Sequence, residues 1–199
     1  MLHLLRLKNW QIFWLAAGLS LVARVANYAM LYLLPAMYYN PMIGRFADAA
    51  LLFCFVVRMF WLYAQASELY SKLVLDAELI SLNAFKVVFI VHIIFRLFFM
   101  AFPILTPASG FEAFASFAMV AIFGLLVNLF TGAFIYYYIS RALTSAEFKR
   151  TSNVQEYLGT FFLYVIYPVG IWWIQPRLNH VFGTERRYRA DTPLDHDLN

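Results

Sequence analysis

Four long apolar stretches, separated by short polar or turn-rich connections, dominate the pattern of this chain. They cover approximately residues 10–34, 46–66, 84–102 and 111–140. Each is at least as long as the roughly 18 apolar residues that a helix needs to cross the hydrocarbon core of a bilayer. The pattern therefore predicts an all-α fold, a polytopic membrane helix bundle with four transmembrane helices.

A fifth apolar stretch, residues 153–175, is interrupted by helix-breaking residues. Asn153 is a favourable helix N-cap, and Glu156 three places later completes a capping box. The helix is expected to end near Tyr167, because Pro168 clashes with the preceding turn and Gly170 relaxes the backbone. About 14 residues at ~1.5 Å each reach ~21 Å, which is less than the ~30 Å hydrocarbon core. The stretch is therefore predicted to be a Pro-broken segment, either re-entrant or a kinked fifth span.

The distribution of basic residues between the two sides of the membrane helps to choose between these arrangements. With five spans, seven Lys and Arg residues fall on one side and five on the other. With four spans and a re-entrant segment, eleven fall on one side and Arg45 falls on the other. The positive-inside rule favours the second arrangement, with both termini in the cytoplasm. The kinked fifth span stays open as the alternative.

The composition agrees with a membrane protein and excludes a soluble domain of this length. Hydrophobic residues make up 63% of the chain and charged residues 13%, which is too few to cover a soluble core. The net charge of +4 comes from basic residues at the ends of apolar runs, so it does not indicate nucleic-acid binding. The single cysteine, Cys54, supports neither an intramolecular disulfide nor a cysteine metal site. We expect one transmembrane domain, residues 1–176, and a polar, mobile tail, residues 177–199.

Both ends of the chain resemble a family of small bacterial integral membrane proteins. The resemblance lies in the closing string E-Y-L-G-T-F-F-L-Y-V-I-Y-P-V-G-I-W-W-I-Q-P-R-L-N (156–179), in the preceding A-L-T-S-A-E-F-K-R (142–150) and in the opening L-K-N-W-Q-I-F (7–13). Together with the order of the spans, it covers about half of the chain. It implies a multi-pass fold in the bacterial inner membrane. The family has no assigned activity, so the resemblance transfers no function.

Three arginines in the predicted spans are candidates for function, and they are not part of this resemblance. Arg24, Arg58 and Arg96 each lie about ten residues from a span end, and hence near one depth close to the midplane. Each costs about 2.5–3.5 kcal/mol to place there, and no Asp or Glu lies at the same depth. An anion would then complete the site: a lipid phosphate, a small anion or a carboxylate on a partner helix. The alternative is that each arginine binds carbonyls, extends to an interface or meets water.

Neighbouring residues extend the candidate site. His92 lies four residues before Arg96, so the two share a helix face, and we expect the three arginines to face one interior pocket. Gly124, Asn128 and Gly132 form a stripe suited to close helix contact. His92 and Asn128 are therefore further candidates for contact with a ligand or partner, although packing within the bundle is the favoured explanation for both.

No motif in the chain indicates catalysis. It has no G-x-S-x-G, H-E-x-x-H or Walker sequence, and no pair of carboxylates inside the spans. We predict a non-enzymatic accessory or assembly subunit in the bilayer that binds an anionic lipid, a small anion, a protein partner or a second copy of itself. No cofactor, metal or nucleic acid is expected. The alternatives are a small anion channel or transporter and, less favoured, a lipid-modifying enzyme with Glu156 and His92 as its only plausible proton carriers.

Overall fold

A computed structural model describes residue 5 and residues 7–33, 41–73, 81–105 and 111–191. All regular structure in these residues is helical, which confirms the all-α prediction. The elements are α1 (Asn9–Phe13), a π-helical turn (Trp14–Gly18), α2 (Leu19–Leu33), α3 (Pro41–Lys72), α4 (Leu82–Leu105), α5 (Phe111–Phe148), α6 (Val154–Val165) and α7 (Tyr167–Asp191).

Three of the described helices contain segments long and apolar enough to cross a membrane. The segments are Asp48–Lys72 in α3, Leu82–Phe99 in α4 and Val120–Phe148 in α5, and they correspond to the second, third and fourth predicted spans. In the most apolar part of each segment, 44% of the α3 residues are buried, against 11% in α4 and 17% in α5. The structure is therefore compatible with a membrane location, and α3 is the central helix.

The first predicted span, 10–34, is helical over its described residues, 10–33, but not uniformly so. It consists of α1, the π-helical turn and α2, which follow one another directly. The π turn presents Ala16, Ala17 and Gly18 as buried residues, and these small side chains allow α3 to approach closely. A Cβ on Gly18 would overlap the ring of Trp14. This internal π-helical turn distinguishes the stretch from the three candidate spans, which lie in uninterrupted α-helices.

Helix α5 ends later than the predicted boundary near residue 140. Ala142 and Leu143 are fully buried, so the packed face of the helix continues into what the sequence indicated as a polar linker. The helix stops at Lys149, which adopts a left-handed φ of 53°. The Arg150 N–H then donates to the Ser145 carbonyl at 3.3 Å, which is the closing hydrogen bond of a Schellman motif. A lysine in place of the usual glycine hides this helix end from sequence analysis.

Helices α6 and α7 form an antiparallel hairpin. The Asn153 N–H donates to Glu156 Oε2 at 2.9 Å at the start of α6, and Ile166 (φ −89°, ψ 49°) separates α6 from α7. Gly170 lies so close to the Leu163 carbonyl that a Cβ would overlap it. The side chain of Arg177 reaches back across the hairpin to α6, where its Nη1 donates to Thr160 Oγ1 at 2.7 Å.

Helix α7 continues through Pro176, where the prediction ended the transmembrane domain and began a mobile tail. Proline lacks the N–H that would bond to the carbonyl four residues earlier, that of Trp172. Asn9 supplies the missing donor, since its Nδ2 donates to the Trp172 carbonyl at 3.4 Å. Leu178 and Phe182 are buried beyond the proline. Residues 177–191 are thus helical, and residues 192–199 of the predicted tail lie outside the described residues.

Buried hydrogen bonds join α7 to α3 and to the N-terminal segment. Trp61 Nε1 in α3 donates to Gln175 Oε1 at 3.2 Å, and both side chains are fully buried. Gln175 Nε2 donates in turn to the Leu5 and Leu7 carbonyls at 2.8 and 3.0 Å. The opening and closing sequences of the chain are therefore packed against each other, although about 170 residues separate them.

Candidate functional site

A cavity of about 370 Å³ lies between α3, α4, α5 and α6. It brings together four of the five predicted contact residues: Arg58, Arg96, His92 and Asn128. The other lining residues are Phe55, Met59, Leu125, Leu129, Gly132, Ala133, Tyr136, Phe161 and Val165. The cavity is lined by cationic, aromatic and apolar side chains, with no Asp or Glu among them.

Arg24 does not line this cavity, so the expectation that three arginines face one pocket holds for only two of them. Helix α2 packs against α3 through Ala23, which is buried together with Ala50. Arg24 is exposed and follows Ala23 directly, so it lies about 100° further around the helix. An equal distance from the span ends did not determine the direction of the side chain.

Arg58 contacts tyrosines rather than a carboxylate. Its Nη2 donates to the hydroxyl oxygen of Tyr136, and its Cζ lies 4.1 Å from the ring centroid of Tyr167 and 5.8 Å from that of Tyr136. Both ring distances are within the range of cation–π attraction. The Nε of Arg58 is buried and has no hydrogen-bond partner among the described residues. The guanidinium is held in place, but its charge is not neutralised.

Arg96 is the second cation of the cavity, and it is exposed on α4. Neither Arg58 nor Arg96 forms an ion pair with any residue that the structure describes. Two like charges in surroundings of low dielectric constant repel each other and attract an anion strongly. Ion pairs do form in other parts of the molecule, between Arg150 and Glu156 and between Arg177 and Glu147.

The hydrogen bonds of His92 determine which ring nitrogen carries its proton. His92 Nδ1 lies 2.9 Å from Thr131 Oγ1, and the Thr131 hydroxyl donates to the Val127 carbonyl at 2.7 Å. Because the Thr131 hydroxyl proton is donated to Val127, the Thr131 oxygen must be the acceptor in the bond with His92, and His92 Nδ1 must be the donor. The structure describes no hydrogen-bond partner for Nε2, which in this tautomer carries no proton and can only accept a hydrogen bond, so His92 does not donate to an anion in the cavity. His92 thus acts both as a packed residue and as a lining residue.

Two glycines of α5 let the rings of α4 pack closely against it. Gly132 lies against the ring of His92, and Gly124 lies against the ring of Phe99. The stripe that the sequence suggested for helix contact therefore faces α4. Asn128 Nδ2 donates to the Gly124 carbonyl at 2.9 Å, and its buried Oδ1 has no described partner. Asn128 consequently forms part of the wall, with its amide oriented by the helix itself.

Two aromatic residues of the site were not identified from the sequence as site residues. Tyr136 lies about two helical turns after Asn128 and on the same face, so the helical spacing could have identified it. Tyr167, which stacks on Arg58, gave no signal because the hairpin brings it there. Glu156 lies at the start of α6, bonded to Asn153 and Arg150, and does not line the cavity. It therefore does not form an acid–base pair with His92.

Comparison with known proteins adds no assignment: no family model, no curated protein and no solved structure matches this chain. Within the described residues, no three His, Cys, Asp or Glu side chains come together in a way that could hold a metal ion. The function of the cavity therefore has to be inferred from its shape and charge.

Proposed function

We propose that this protein is a non-enzymatic integral membrane protein that binds an anionic group in the cavity through Arg58 and Arg96. The observation that carries the proposal is the presence of two cations within candidate spans, at a cavity of ligand size without an Asp or Glu. Charged groups inside a membrane are expensive unless they are paired, so a ligand or partner that supplies negative charge is strongly favoured.

The proposed location is the cell membrane, the inner membrane of a bacterium, crossed by four spans. Residues 9–33 form the first span, since 25 helical residues extend about 37 Å. The α6–α7 hairpin is re-entrant. In support, Tyr167 contacts Arg58 near the middle of the α3 span, whereas Lys72 at the end of that span lies 5.3 Å from the ring of Phe182. The hairpin thus returns to the side from which it enters, and the loop charges favour the cytoplasm for that side.

The protein acts in this proposal as an accessory or assembly subunit, with a lipid, an acidic partner helix or a second copy of itself as its ligand. An anion channel is less favoured because the buried ring of Tyr164 stacks on the cavity-lining Tyr136 and lies against the buried Trp61, and these rings oppose a continuous polar pathway. A lipid-modifying enzyme is less favoured because Glu156, its only candidate acid, is paired outside the cavity.

Gentle purification followed by a stability assay tests this function. The proteins and lipids that co-purify would be identified by mass spectrometry, and unfolding would be followed with and without added phosphate, acetate and anionic lipid. An anionic ligand or an acidic partner should bind to the native chain and be lost in Arg58→Gln and Arg96→Gln. The matched control is Arg24→Gln, which should keep it. If no anionic or acidic species depends on Arg58 or Arg96, the proposal is wrong.

A further inference from the structure

We infer that the anion enters the cavity from the bilayer, as the head group of a lipid, and not from water as a small solute. This inference rests on the proposed function and names the class of ligand. The head group lies against Arg58 and Arg96, and the acyl chain leaves through the apolar rim. Three features of the cavity support this entry route: its exposed rim, its closed inner wall and its length.

The rim of the cavity is made of exposed aliphatic side chains. Leu125 is 69% exposed, Leu129 is 62% exposed and Val165 is 51% exposed, and all three line the cavity. The two leucines belong to the candidate span Val120–Phe148, whose outer surface contacts acyl chains in a bilayer. The opening therefore faces hydrocarbon, and a molecule that enters through it is already dissolved in the membrane.

The inner wall of the cavity is closed by packed side chains. Met59 lines the cavity and is buried, and Tyr167 is buried beneath the Arg58 guanidinium. Behind them, Trp61 is fully buried and its ring centroid lies 5.8 Å from that of Tyr167. A hydrated anion would have to pass through this aromatic layer, whereas a lipid approaches Arg96 directly because that arginine is exposed.

The cavity is elongated, as an amphiphile requires. Its lining residues on α5 run from Leu125 to Tyr136, which is about 16 Å along the helix axis. Tyr136 holds the Arg58 guanidinium at one end and Leu125 lies at the other, while Arg96 lies between them near the level of Asn128, because α4 places His92 against Gly132 and Phe99 against Gly124. Guanidinium groups bind the oxygens of phosphates and carboxylates through paired hydrogen bonds. The ligand class is therefore a lipid with a phosphate or carboxylate head group, and experiment can distinguish the two.

The test is native mass spectrometry of the detergent-solubilised, delipidated full-length protein. The probes are phosphatidylglycerol, phosphatidylcholine, oleate and inorganic phosphate at equal concentrations. We expect phosphatidylglycerol or oleate to bind at least tenfold more tightly than phosphatidylcholine, and inorganic phosphate not to bind. Arg96→Gln should lower the affinity for the bound lipid about tenfold, whereas Arg24→Gln should leave it unchanged. Arg96 is exposed, so this variant should fold; Arg58→Gln serves as the second variant.

A second pair of variants tests the route of entry. Leu129→Trp places a bulky ring at the rim and should lower the affinity for the lipid about tenfold. Leu126→Trp is the matched control, since Leu126 is also exposed on α5 but does not line the cavity. If both tryptophan variants bind like the native protein, entry through this rim is excluded and the inference fails.

The remaining outcomes separate the inference from the proposed function. If inorganic phosphate binds with the same dependence on Arg96 and the lipids do not, the site accepts a soluble anion; the inference fails and the proposed function stands. If no probe depends on Arg58 or Arg96, or if Arg24→Gln weakens binding equally, both fail. Binding of oleate alone or of phosphatidylglycerol alone supports the inference and identifies the head group.

Discussion

Two arginines of this protein differ in whether the chain itself supplies their partners. Arg177, in the hairpin, pairs with Glu147, where its Nε lies 2.7 Å from Oε1, and it also donates to Thr160. Arg58, in the cavity, has one tyrosine hydroxyl, two aromatic rings and a buried Nε without a described partner. Arg177 thus has a carboxylate partner within the chain, whereas Arg58 has none among the described residues.

The difference extends to the surroundings of each arginine. Near the hairpin, Tyr164 donates to Gln65 and Trp61 donates to Gln175, although Gln65 Nε2 and the Tyr167 hydroxyl have no described partner. Around the cavity, the cations are surrounded by aliphatic and aromatic side chains. Buried polar groups that form hydrogen bonds with each other stabilise the fold, while a cation without a paired anion is available to bind an anionic ligand. Substitutions near the hairpin should therefore lower stability, and substitutions in the cavity should lower ligand binding.

The largest loss of stability is expected for Gln175→Leu. This substitution leaves Trp61 Nε1 and the Leu5 and Leu7 carbonyls without their partner, and we expect the free energy of unfolding to fall by about 3 kcal/mol. Denaturation in detergent, followed by circular dichroism, measures the change. Gln155→Leu, an equivalent substitution at an exposed position of α6, is the control and should have little effect. Equal stability of the two variants would show that the buried network contributes nothing.

A direct contrast between the two arginine environments comes from Glu147→Gln and Arg58→Gln. The first leaves Arg177 without its carboxylate in a largely buried place, and the free energy of unfolding should fall by about 2 kcal/mol. The second should lower the stability of the ligand-free protein by less than about 1 kcal/mol, because removing an unneutralised charge offsets the lost contacts with the rings. Thermal unfolding with and without ligand separates them: only Arg58→Gln should abolish stabilisation by the ligand. The reverse ranking would contradict the comparison.

A smaller effect is expected where Asn9 bonds to the carbonyl that Pro176 leaves free. Asn9→Ala should lower the free energy of unfolding by about 1 kcal/mol, the value of one ordinary hydrogen bond. In a Pro176→Ala background the same substitution should have almost no effect, because the new N–H bonds to the Trp172 carbonyl within the helix. A double-mutant cycle on the two positions measures this coupling. Additive effects would mean that the Asn9 side chain acts elsewhere.

The smallest effect is expected from the titration of Glu156 at the start of α6. The hydrogen bond from the Asn153 N–H, assisted by Arg150, lowers the pKa of this carboxyl below 4.5. Because the folded pKa is lower than the unfolded one, the stabilisation is present at neutral pH and is lost as pH falls through the folded pKa. The difference in melting temperature between the native protein and Glu156→Gln should therefore shrink as pH falls below the unfolded pKa and disappear once pH is below the folded pKa. A difference that is constant with pH would show that the ionised form is not what stabilises the helix.

Much of the fold follows from the sequence because the signals are local. Apolar runs predicted the helices that contain the three candidate spans, and Asn153 with Glu156 predicted the start of α6 at Val154. Each signal lies within one contiguous segment of the chain: an apolar run for a span, and the Asn153–Glu156 pair for the start of α6. The helix ends that lacked a local signal were misplaced: Lys149 ends α5 in a conformation that glycine usually adopts, and Pro176 lies within α7.

The sequence also identified the residue types of the candidate site, but only the tertiary structure decided which of them meet. Hydropathy places Arg24, Arg58 and Arg96 at similar depths, because depth depends on distance along one helix. Their directions depend on which helix faces pack together: small residues turn α2 so that Arg24 lies outside the cavity, and the hairpin brings Tyr167 against Arg58. Such packing is a property of pairs of segments, so no periodicity within a single segment encodes it.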